Sequence, residues 1–148
     1  MRQLTTLRKC IVISIVFFLL SFKGISQVNR AILSSSDDAE ERVSNGNMDL
    51  NSTDIEFPYD GGNDQYVGLR FQNIIIPRGA VVTNAYIQFQ VDEANSTPVT
   101  LNITGIDVDD STTFIGDNSN ISQRIDGTLS SSTTANVAWT PANWPTVG

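Results

Sequence analysis

The sequence predicts an all-β fold, a jelly-roll-like β-sandwich that is incomplete at its C-terminus. Three observations carry that prediction. Short runs alternate apolar with polar residues, no segment repeats its apolar residues at helical spacing, and the runs are separated by Gly, Pro, Asn, Asp and Ser. Alternation with a period of two marks half-buried strands, and those separators mark turns.

In chain order, residues 1–26 come first and read as a cleavable signal peptide. Arg2, Arg8 and Lys9 form a basic start, Ile11 to Phe22 is an almost unbroken apolar run, and Gly24 and Ser26 are small residues before a cut at Gln27. An apolar run of 12 residues is too short for a membrane span, which takes roughly 20. The chain is therefore expected to be secreted or displayed at the cell surface, with no membrane span after maturation. The 122 residues that remain, 27–148, suffice for one module with its own core.

Within that module five strands are expected, at 50–57, 66–71, 84–91, 99–106 and 136–139, and residues 27–33 supply a sixth candidate. In 66–71, Val67, Leu69 and Phe71 are expected to point inward, with Tyr66, Gly68 and Arg70 outward. In 84–91, Ala85, Ile87, Phe89 and Val91 share one face, opposite Tyr86, Gln88 and Gln90. Residues 107–127 read as a long loop in which Phe114, Ile115, Ile121 and Ile125 are isolated apolar residues. A jelly roll uses about eight strands, so five or six predict a truncated domain.

Composition removes whole classes of chemistry. The chain has no histidine, and its one cysteine and all its lysines fall within residues 1–26. Imidazole bases, Ser-His-Asp triads, thiolates and amine nucleophiles are thus excluded from the mature module. Five arginines against 16 acidic residues leave it a net charge of −11. Such a surface repels phosphate backbones, so nucleic acid is not an expected partner.

Three sets of side chains remain as candidates. Asp107, Asp109 and Asp110 follow a strand and offer the hard oxygen ligands of a structural calcium, the one cofactor the sequence suggests. Asp37, Asp38, Glu40 and Glu41, and separately Asp60 and Asp64, form further acidic groups, which as surface residues would simply keep the module soluble. Tyr59, Trp144 and Tyr86 present aromatic faces on which a sugar ring can stack, whereas Trp139, in phase with Val137, is expected in the core. Asp54 and Glu56, about 7 Å apart on one strand face, have the spacing of glycosidase carboxylates, though nothing in the sequence builds a pocket around them.

Several stretches together resemble a known family. They are Ser34-Ser-Ser-Asp-Asp-Ala-Glu-Glu41, Ser52-Thr-Asp-Ile-Glu56, Val67-Gly-Leu-Arg-Phe71, Ile76-Pro-Arg-Gly-Ala-Val-Val-Thr-Asn-Ala-Tyr-Ile-Gln-Phe89 and Val137-Ala-Trp139. The chain resembles secreted bacterial jelly-roll modules of the DNRLRE type, which are similar to carbohydrate-binding β-sandwiches. The resemblance implies a non-catalytic module of a larger extracellular protein, with polysaccharide and the protein's own other domains as partners. It assigns no binding residue. The expected function is binding or adhesion, with a structural spacer as the alternative and a carboxylate-based hydrolase or lyase third.

Overall fold

The computed structural model describes residues 27–148, so the expected signal peptide at 1–26 lies outside the described residues. The fold is all-β and antiparallel. Its strands are β1 (Asp38–Arg42), β2 (Met48–Asp49), β3 (Tyr59–Asp60), β4 (Asn63–Leu69), β5 (Leu101–Ile106) and β6 (Ser132–Trp139), with one helical turn, α1 (Ser122–Ile125), between the last two. A four-stranded sheet has the order β2-β1-β4-β3, and β5 pairs with β6 in a two-stranded sheet. Among the described residues no helix is long and apolar enough to cross a membrane.

The four-stranded sheet is built around β1, whose sequence Asp-Ala-Glu-Glu-Arg is not an obvious strand. Register places Ala39 opposite Gly68 and Glu41 opposite Tyr66, so these four residues share a face. On that face lies the core, made of Ala39, Phe114 and Ile121, with Met48, Leu50 and Ile125 packed against it. The face expected to be outward, that of Tyr66, Gly68 and Arg70, is therefore the one that faces the core. Gly68 makes this possible, because its missing side chain leaves the space that the Phe114 ring fills.

Residues 107–127, expected to be a loop, supply the lid of this core. Glu41 holds them in place. Its Oε2 accepts the backbone N–H groups of Ile121 at 2.7 Å and Ser122 at 2.8 Å, and its side chain is fully buried. A buried carboxylate is tolerated when backbone donors replace water in this way. Arg124 does the converse, donating to the carbonyls of Thr112 (2.7 Å), Thr113 (2.7 Å) and Asn120 (3.1 Å) while its guanidinium lies 4.7 Å from the Phe114 ring centroid. Asp37 is buried with Arg70 and Gln72 as donors and an Arg70 ion pair of 2.6 Å. The charged group 37–41, expected at the surface, is thus largely internal, because the carboxylates of Asp37, Glu40 and Glu41 each have side-chain or backbone donors.

Two expected strands form no ladder. In 50–57 backbone groups are taken by side chains instead: Asn51 N–H by the adjacent Asp49 Oδ1 at 2.7 Å, and Glu56 N–H by Glu40 Oε1 of β1 at 2.7 Å. Such bonds compete directly with sheet pairing. Residues 84–91 have the alternation of a strand but no strand beside them; Phe89 instead packs on Phe57 and Trp139, and Val91 O accepts one bond from Gly148 N–H. Residues 27–33 likewise join no ladder. The strands expected at 66–71, 99–106 and 136–139 fall largely within β4, β5 and β6.

Candidate functional site

An aromatic row crosses between segments far apart in sequence. Phe57 meets Phe89 edge-on at 5.1 Å, Phe89 stacks on Trp139 at 5.7 Å and 15°, and Trp139 tilts 40° against Trp144 at 6.3 Å. β5–β6 pairing sets Trp139 opposite Leu101, and Val137 opposite Ile103, which puts all four on one face of that sheet. Trp144 is fixed by a reciprocal backbone pair with Asn95, at 2.8 and 2.9 Å. The row ends at Trp144 in a shallow depression lined also by Phe57, Asn95, Thr97, Pro141 and Asn143. Its volume is about 40 Å³. That is room for a few waters.

Of the three aromatics expected to bind ligand, Trp144 alone lines this depression. Tyr59, in β3, is 58% exposed, and Tyr86 is 70% exposed, so both are accessible without contributing to it. Trp139 is half-buried under Phe89, in keeping with a packing role, although Val137 beside it is exposed. The residues missed at the sequence level are Phe57, Asn95 and Asn143. Nothing local marks them, since only the pairing of Asn95 with Trp144 brings them together.

Asp107, Asp109 and Asp110 are exposed in the turn after β5, where the Asp107 N–H is bonded to Ser131 O at 2.8 Å. Among the described residues no three acidic side chains are placed to share a metal ion, so these carboxylates do not form a calcium cage as they stand.

A second cluster converges at the opposite face of the four-stranded sheet. The charges of Asp49 on β2, Asp54 and Asp60 on β3 act on Glu40 of β1, and those of Asp60, Asp54 and Glu40 act on Glu56. The hydrogen-bonded neighbour Asp60 pushes Glu56 up to about 7, with burial and the charges of Asp60, Asp54 and Glu40 adding to it. Burial raises Glu40 as well, against the lowering effect of the Glu56 N–H. Asp37 behaves oppositely: burial would raise it, but the Arg70 and Gln72 hydrogen bonds and the Arg70 charge hold it below the ordinary range. Glycosidase carboxyls stand about 5 to 10 Å apart across a sugar. Here the hollow beside Glu40 and Asp54 has only about 10 Å³.

No protein family, curated protein or solved structure matches this chain.

Proposed function

We propose that this chain is a secreted, non-catalytic binding or adhesion module whose ligand is carbohydrate, part of a larger extracellular protein and akin to the DNRLRE-type jelly rolls it resembles. The observation that carries the reading is the aromatic row ending at Trp144 in a depression rimmed by amide and hydroxyl side chains. A flat apolar face beside hydrogen-bonding groups suits a sugar, which has C–H faces and a hydroxyl edge. The net charge of −11 on residues 27–148 favours neutral glycans over acidic ones.

Affinity electrophoresis in gels carrying neutral and acidic polysaccharides tests this directly. Single contacts of this size correspond to dissociation constants on the order of micromolar to millimolar, or about 4 to 8 kcal/mol. Trp144→Ala is expected to weaken retention at least tenfold at unchanged melting temperature, and Tyr59→Ala less. Trp139→Ala is expected to lower the melting temperature instead. A folded chain retained by no glycan in the panel would remove the carbohydrate reading.

One observation favours the spacer reading as second. Ile74, Ile75, Ile76, Val81, Val82 and Ile87 are between 41% and 85% exposed, an apolar run suited to packing against a neighbouring domain. Calcium at Asp107, Asp109 and Asp110 is a separate part of the proposal, and it requires those side chains to draw together around the ion. An ion bound only by the folded state raises stability by mass action. Melts in millimolar calcium and in chelator should then differ by several degrees, with Asp109→Ala closing the gap. Coincident melts would leave the turn as solvated surface.

A further inference from the structure

Residues 81–90 alternate like a strand, yet among the described residues their N–H and C=O groups enter no backbone hydrogen bond. The run is bounded at both ends. Ala80 N–H donates to Pro77 O at 3.0 Å, closing the turn before it, and Val91 O accepts from Gly148 N–H at 3.0 Å. No residue from Ala80 to Val91 has a positive φ, so none is barred from β geometry. Val81, Val82 and Tyr86 within it are exposed. An exposed row of unpaired backbone groups is a template for pairing with another chain.

The charges around this edge select its occupant. A net −11 on residues 27–148 sets copies of the chain against one another. Residues 79–91, however, carry no charge, and exposed residues of opposite sign bracket them: Arg78 before and Asp92 after. Ala85 stands midway between the two. Two copies laid antiparallel about Ala85 therefore bring each Arg78 opposite the partner's Asp92. The same register sets Val81 opposite the partner's Phe89, an aliphatic–aromatic pair of the kind that stabilises sheets.

We propose that residues 79–91 are a self-association edge, which pairs antiparallel with the same residues of a second copy about a two-fold axis at Ala85. Val91 turns its C=O toward Gly148, so in an extended run the odd-numbered residues address that side and the even-numbered ones the open side. The bonded pairs of this register are even-numbered, Asn84 with the partner's Tyr86 and Val82 with the partner's Gln88. The two-fold axis closes the assembly at two copies, because each edge is consumed by the other. A slip of one residue would part Arg78 from the partner's Asp92 and turn the side chains to the wrong face. The pairing stands independently of what the Trp144 depression binds.

Sedimentation velocity between about 1 and 100 μM, the range of dissociation constants near the micromolar, is expected to show monomer passing to dimer and nothing larger. Asn84→Pro removes a donor that serves no backbone bond in the single chain. Two bonds are lost per dimer, so dimerisation should weaken about tenfold or more, with the melting temperature of dilute protein little changed. Tyr86→Pro serves if that variant does not fold. Arg78→Asp and Asp92→Arg should each weaken dimerisation severalfold, and an equimolar mixture of the two should recover it as a heterodimer with both charge pairs restored. Asp92→Arg also makes the chain less acidic, so tighter association of that variant would show that overall charge governs contact, and would overturn the proposal. Monomer at every concentration, growth beyond the dimer, or undiminished association of both proline variants would overturn it as well.

Discussion

Arg124→Ala is expected to cost this fold about 3 kcal/mol or more, the largest loss from any single side chain considered. Arg124 is 6% exposed and serves three carbonyls, the buried one of Asn120 and the partly buried ones of Thr112 and Thr113, together with Ser111 Oγ and Asn120 Oδ1. A buried acceptor left without a donor costs roughly 1 to 3 kcal/mol. Truncation strips the buried Asn120 carbonyl and two partly buried ones at once and removes the cation from the Phe114 ring. Against a typical total stability of about 5 to 15 kcal/mol, that loss brings the chain close to unfolding. Arg124→Lys keeps the charge but not the planar fork of donors, so it should recover less than half. Urea denaturation followed by circular dichroism measures both. A drop below about 1 kcal/mol for the alanine variant would mean that water replaces the guanidinium freely and that the 111–125 segment is not held as described.

Gly68→Ala is expected to be the next most damaging change, although it adds one methyl group to a strand. A Cβ built there would lie 2.5 Å from Phe114 Cζ and 2.8 Å from Cε1. Those atoms belong to a buried ring with β1 and β4 beneath it, so either the ring or the strand must move. Overpacking of this kind costs about 1 to 3 kcal/mol. Phe114→Leu in the same chain should return part of that loss, and the coupling between the two changes should exceed 0.5 kcal/mol in a double-mutant cycle, as roughly expected for residues in contact. Thermal melts of the four variants decide it. If Gly68→Ala is neutral, Gly68 points to solvent, as alternation alone suggests, and the core does not sit on that face.

The outcome at Gly68 bears on how far this protein can be read from its residues. Alternation in 99–106 and 136–139 places Leu101, Ile103, Val137 and Trp139 on one side, and the β5–β6 register agrees. The same reasoning inverts β4. Val67 and Leu69 are only half-buried, while Gly68 is buried, because a ring from 46 residues further along fills the space above the glycine. Polarity misleads in the same way at β1: Asp37, Glu40 and Glu41 are charged and yet buried, each with donors contributed by distant segments.

What the sequence by itself determined is the class and the chemistry denied to it. Turn residues between short alternating runs specify an all-β chain, and the lack of His, Lys and Cys beyond residue 26 removes most catalytic machinery before any coordinate is considered. Trp139 was also legible as a packing residue, in phase with Val137, whereas Tyr59, Trp144 and Tyr86 read alike as exposed aromatic faces. Tertiary structure alone decided which face of β4 is inside, that 107–127 closes the core, and that Phe57, Phe89, Trp139 and Trp144 form one row. The reason is physical. Local pattern encodes a residue's preference for water or for a neighbouring turn, but a buried charge or a glycine gap is stable only through partners supplied from elsewhere in the chain. Glu41 is buried because the Ile121 and Ser122 N–H groups replace its water, and no window of sequence around Glu41 contains them.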